Sequence, residues 1–131
     1  MEYAYNDFSL FQVATGLSHT HDATKYLNRS RNWRNHWDPS SSSLGYTGFV
    51  VPRNISGFLE TDLLNAGGYW SDAFYEASAW DYSFADVYDM VHIIELMGGN
   101  DTFYKRLETT FQVGGNPADA MGTIFDPTNE P

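Results

Sequence analysis

The chain contains no cysteine. Disulfide stapling and thiolate zinc sites are therefore excluded, and cysteine usage carries no mark of the redox compartment. Basic side chains are scarce too: seven Lys and Arg stand against seventeen Asp and Glu, a formal net charge of −10. Such a balance repels phosphate backbones and anionic lipid surfaces, so neither nucleic acid nor a membrane is expected as a partner. A neutral sugar, or a hard cation held by oxygens, is compatible with it. No apolar run approaches the roughly 20 residues of a membrane span. The N-terminus lacks a basic stretch followed by an apolar one, so this chain is expected to carry no secretory signal of its own.

What is abundant is aromatic. Nine Tyr, nine Phe and four Trp make up 17% of 131 residues. A single domain of about this length buries roughly two thirds of its unfolded surface, and 42% hydrophobic residues oppose intrinsic disorder despite the charge. The aromatic excess suits a carbohydrate cleft or a bulky core equally well. Asn28-Arg29-Ser30, Asn54-Ile55-Ser56 and Asn100-Asp101-Thr102 fit the glycosylation acceptor pattern, which often arises by chance and gives weak support for an exported parent protein.

Along the chain, Phe8, Phe11, Ala14 and Leu17 recur at helical spacing, with Asp7 as the expected N-cap. From about Thr20 to Trp37 a second helix is expected, with Ala23, Leu27, Ser30, Arg34 and Trp37 on one face, ending at Asp38-Pro39. From Ser40 to Trp80 the helical period fails, apart from a β-like run at Tyr46 to Val51. So long a link is uncommon without a function and is read as a cover over an active site. Ser83 with Asp86 resembles a capping box, after which Val87, Val91, Ile94 and Met97 hold one face until Gly98-Gly99. Asn100 or Asp101 is expected to cap a last helix carrying Phe103, Leu107 and Phe111. The fold class read from this pattern is all-α, about two helical pairs joined by a long irregular link with room for one or two short strands.

One carboxylate stands out. Glu76 lies among aromatic rings in Tyr75-Glu76-Ala77-Ser78-Ala79-Trp80-Asp81-Tyr82-Ser83. Aromatic faces bind the apolar face of a pyranose, and a carboxyl partly withdrawn from water holds its proton nearer neutrality, so Glu76 is a candidate general acid. The competing reading is that the rings are core and Glu76 is a solvated loop residue. His19 and His21 beside Asp22 offer a possible transition-metal set, weighed against ordinary solvated histidines at a helix start.

Six blocks stand in one order: Glu2-Tyr3-Ala4-Tyr5-Asn6-Asp7-Phe8, Tyr26-Leu27-Asn28-Arg29-Ser30 with Asn32-Trp33-Arg34-Asn35, Gly48-Phe49-Val50-Val51-Pro52-Arg53, Tyr75 to Ser83, Leu96-Met97-Gly98-Gly99 and Asn129-Glu130-Pro131. In that order and rough spacing they resemble family 92 glycoside hydrolases, which are calcium-dependent inverting α-mannosidases. The resemblance implies a sector of an (α/α)6 toroid, with residues 1–131 as one partial domain. It places Glu76 where the family keeps its general acid, and Trp80, Asp89 and Asn129 among substrate-binding positions. Glu130 falls at a calcium or sugar site, with Ca²⁺ as the implied cofactor and mannose-containing glycans as partners.

Departures from the family pattern are Ala77 for a usual Gly, Asp81 for Gln or Glu, Asp86-Val87-Tyr88-Asp89 for Val-Pro-His-Asp, and Thr128 for Gly. Asp81 adds a like charge expected to raise the Glu76 pKa further. The family's general base, in an Asn-Asp-Asp-Cys-Gly-Gln-like block, and its N-terminal β-sandwich are both missing from this sequence. The chain is therefore expected to be an internal fragment with little turnover alone, from a secreted parent hydrolysing α-1,2-mannosides of N-glycans or mannan. The missing remainder of its catalytic domain is an expected partner. Two rivals remain: a non-catalytic module binding glycans or a protein through its aromatic surface, and another (α/α)6 enzyme such as a lyase, which the acidic charge opposes.

Overall fold

A computed structural model describes residues 1–65, 74, 77–116 and 120–125. Helices α1 (Glu2–Gly16) and α2 (Thr20–Ser30) form an antiparallel hairpin. The reversal is made at Ser18, whose φ of 61° lets His19 N–H reach back to the Ala14 carbonyl at 2.9 Å. Asp7 is not a cap. It lies inside α1 with its side chain 8% exposed and accepts from Arg29 Nε at 3.0 Å, tying the two helices together.

After Ser30 the chain tightens into a 3₁₀ segment, Arg31–His36, that buries Trp33. The second helix expected to run to Trp37 thus stops seven residues short of it.

The all-α expectation is overturned. Strand makes up 15% of the described residues beside 51% helix, in two small antiparallel sheets, so the fold is mixed. Strand β1 (Trp37–Ser43) pairs with β2 (Tyr46–Val50), Trp37 opposite Val50 and Ser43 opposite Tyr46. The β-like run from Tyr46 is β2. Its partner could not be read from Trp-Asp-Pro-Ser-Ser-Ser-Ser, because serine and proline have weak strand preference and the ladder is imposed by β2. Pro39, lacking an N–H, falls where the register breaks between Asp38 and Ser42. Leu44 and Gly45 make the turn with φ of 49° and 84°, the two left-handed residues that a tight hairpin requires. A shorter hairpin, β3 (Arg53–Asn54) and β4 (Gly57–Phe58), follows at once.

The capping box exists, but at Ser78 rather than Ser83. Ser78 Oγ accepts from Asp81 N–H at 3.3 Å while Asp81 Oδ2 accepts from Ser78 N–H at 2.7 Å, opening the one-turn helix α3 (Ala79–Tyr82). Ser83 does different work: its Oγ donates to Ala79 O at 2.6 Å and accepts from Val50 N–H at 2.9 Å, linking α3 to the end of β2.

A 3₁₀ turn at Val87–Asp89 precedes α4 (Met90–Leu96), and α5 (Asn100–Thr110) follows after Gly98-Gly99. The break before Met90 rotates the inward face. Ile93 and Met97 are buried, while Val87 and Val91, expected beside Met97, are 57% and 74% exposed. Helix α5 is capped by Gly99, not by Asn100 or Asp101. It buries Arg106 and Thr110, leaving Phe111 outside the helix.

Two apolar clusters make the core. One gathers Ala4, Trp33, Trp37, Val50, Ile93 and Met97, and the other Phe49, Val51, Ala79, Trp80 and Ile124. Phe49 and Val50, successive residues of β2, fall in different clusters, as alternating strand side chains do, and Phe74 packs against both clusters.

Candidate functional site

Glu76, Asn129 and Glu130 lie outside the described residues. Trp80 and Asp89 lie within them, in separate environments. The Trp80 ring is fully buried: Nε1 donates to Ser43 Oγ at 3.1 Å, Tyr46 meets it edge-on at 5.6 Å and Phe49 tilts against it at 5.2 Å. It presents no face to a ligand here. Asp89 Oδ2 accepts from Trp33 Nε1 at 3.0 Å and from Arg34 Nε and Nη2 at 3.0 and 2.7 Å, fastening the 3₁₀ segment after α2 to the start of α4. Three donors on one oxygen are strong, charge-assisted anchoring.

Asp81 is committed to the Ser78 cap, where it also accepts from Ser78 Oγ at 2.6 Å. His19 and His21 stay at the surface with Asp22, 3.9 and 3.8 Å away, and His19 is the N-cap of α2 without a side-chain cap bond. Among the described residues no three Asp, Glu or His side chains converge as a metal-binding group.

What the structure does bring together is a groove of about 380 Å³. Phe74 and Tyr82 line it and stack on one another, ring centroids 4.7 Å apart at 18°. Glu2, Tyr3, His36 and Arg53 supply its polar wall. These residues come from the start of α1, the end of the 3₁₀ segment, the entry to β3 and the end of α3. Sequence reasoning singled out none of them for a site. A signal was nevertheless present: Glu2, Arg53 and Tyr82 belong to three widely separated blocks of the resemblance, and all three reach this groove. A second cleft of about 370 Å³ is lined by Asp38, Ser42, Glu60 and Asp62 among others.

The titration of the groove histidine follows from its position. Burial pulls the His36 pKa below its ordinary value, and the nearby Arg53 and terminal ammonium charges act the same way, against an opposing hydrogen bond to Val51.

All 131 residues match the model of the glycosyl hydrolase family 92 catalytic domain. The chain belongs to glycosyl hydrolase family 92. It is also similar to an uncharacterized secreted glycosidase of Arthroderma benhamiae, 31% identical over 123 residues. That match covers 82% of this chain and 16% of the relative, so the family 92 chain spans about a sixth of the length of the curated protein it matches. Among the described residues no helix is long and apolar enough to cross a membrane.

Proposed function

We propose that the protein is a glycoside hydrolase acting on α-mannosides, with Glu76 as general acid. The observation that carries the reading is the convergence of separated family blocks on one groove whose aromatic pair, Phe74 and Tyr82, brackets Glu76 in sequence. Stacked rings give an apolar platform for the C–H face of a pyranose, and polar side chains at its edge supply hydrogen bonds to hydroxyls.

In the proposed single displacement, Glu76 protonates the departing glycosidic oxygen while water attacks the anomeric carbon from the opposite face. That geometry needs a second carboxylate roughly 6.5–9.5 Å away as base, and none of this chain's carboxylates is assigned to it. Secretion and preference for α-1,2 links on N-glycans or mannan belong to the same reading. So does calcium dependence, with Asn129 and Glu130 as oxygen donors; support for it comes from the terminal Asn-Glu-Pro block alone. The ion would polarise sugar hydroxyls when bound.

The test is hydrolysis of α-1,2-mannobiose by the whole protein and its Glu76→Gln form. Loss of a general acid lowers turnover by about 10²–10⁴-fold. Mannobiose hydrolysis undiminished by Glu76→Gln overturns the assignment. Release of glucose from a glucoside in preference to mannose overturns the substrate class.

A further inference from the structure

The polar wall of the groove is built from two side chains that the backbone fixes in complementary states. His36 and Val51 are joined twice: Val51 N–H donates to the His36 carbonyl at 2.9 Å, and His36 Nδ1 lies 3.4 Å from the Val51 carbonyl. A carbonyl can only accept, so the contact selects the tautomer with hydrogen on Nδ1 and leaves Nε2 with its lone pair. Burial lowers the His36 pKa and so favours the neutral imidazole, in keeping with that state.

Two residues on, Arg53 is anchored by one of its five donors. Its Nη1 gives a hydrogen bond to the Asn35 carbonyl at 2.9 Å and the guanidinium lies 5.1 Å from the centre of the Phe58 ring. Arg53 is otherwise exposed at the groove. One wall therefore offers an acceptor that cannot donate beside a fork of donors that cannot accept.

We propose that His36 and Arg53 form a recognition pair for neighbouring hydroxyls of a neutral pyranose bound in this groove. The choice of ligand class rests on the functional reading above; the pairing of acceptor and donors rests on the geometry. Each sugar hydroxyl is both donor and acceptor, so adjacent hydroxyls can give a hydrogen to His36 Nε2 and receive one from Arg53. An anionic sugar would gain from Arg53 but would also face Glu2 in the same groove and a chain of net charge −10. The aromatic pair Phe74 and Tyr82 meanwhile favours the uncharged ring face. These residues would thus set specificity while leaving proton transfer to Glu76.

The experiment is titration of methyl α-mannoside and of mannuronate into the chain, followed by ligand-observed NMR. Four proteins are compared: the unaltered chain, His36→Phe, Arg53→Met and Tyr82→Ala. The unaltered chain is expected to bind methyl α-mannoside, and to bind mannuronate no more tightly. Each polar substitution should weaken methyl α-mannoside about three- to tenfold, the worth of one or two hydrogen bonds. Tyr82→Ala should weaken it as well, through the platform.

Arg53 is exposed, so Arg53→Met remains decisive should His36→Phe fail to fold. Binding by the unaltered chain that Arg53→Met leaves unchanged overturns the pair and spares the mannosidase reading. Tighter binding of mannuronate also overturns the pair. No binding of either sugar overturns the pair, while the mannosidase reading stands or falls on the Glu76→Gln hydrolysis assay.

Discussion

Asp86 is a carboxyl with 3% of its surface exposed, and among the described residues its Oδ2 has no hydrogen-bond partner. Burial pushes its pKa up to about 6 from 3.8; the Tyr88 hydroxyl and the terminal ammonium pull down, and Asp89 pushes up. The Tyr88 hydroxyl is itself held protonated by burial and by the Asp86 charge, and it donates to Ser30 O at 2.7 Å. Because folding raises this acid's pKa, the folded state binds the proton more tightly than the unfolded one. The stability Asp86 contributes is therefore full below about pH 3.8 and is lost as pH rises through about 6. Two pKa units amount to about 2–3 kcal/mol. Thermal melts of Asp86→Asn should show a gain over the unaltered chain at pH 7.5 that shrinks toward pH 4.5. A gain of equal size at both pH values would mean that Asp86 does not titrate in this way.

At the scale of elements, the β1–β2 hairpin depends on Gly48 as well as on its turn. Gly48 has φ of +79°, and a Cβ placed there would meet Trp37 Cζ2 at 2.6 Å. Left-handed strain and steric overlap with a buried indole act together. Gly48→Ala should cost about 2–4 kcal/mol, read as a lowered urea midpoint. A change under about 0.5 kcal/mol would show that Trp37 can move aside freely.

The same scale explains which elements were legible. Helix α1 and the hairpin with α2 could be read because their apolar period is local, and the stop at Gly98-Gly99 because glycine is a chemical signal. The serine-rich β1 could not, since its pairing is decided by β2. The phase of α4 could not either, because the 3₁₀ turn at Val87–Asp89 resets it. Ser83 with Asp86 and Ser78 with Asp81 are equally good capping boxes on paper. Only the packing of Ser83 against Val50 N–H chooses between them.

At the scale of the molecule, Arg106 joins α5 to the hairpin and to α3. It is fully buried, donates from Nη1 to Gly48 O at 2.7 Å, and lies 3.8 Å from the centre of Phe49 and 5.3 Å from that of Trp80. Burial pulls its pKa down to about 9, and among the described residues Nε and Nη2 have no hydrogen-bond partner. A guanidinium so placed contributes volume and ring contact at the cost of desolvation. Arg106→Ala should therefore lose about 2–5 kcal/mol through the cavity it leaves, and Arg106→Met should recover most of that loss in chemical denaturation. If Met proves as damaging as Ala, the charge rather than the volume holds the three elements together.

The sequence alone determined family membership, the acidic balance, the two-helix start and the candidacy of Glu76, because each of these is written in residue types at short or ordered spacing. The tertiary structure decided that Trp80 is enclosed by Tyr46 and Phe49, that Asp89 is tied to Trp33 and Arg34, and that Glu2, His36, Arg53, Phe74 and Tyr82 share one groove. Those facts concern which side chains meet across long stretches of chain. Such meetings follow from how strands pair and where helices turn, and no local pattern encodes them.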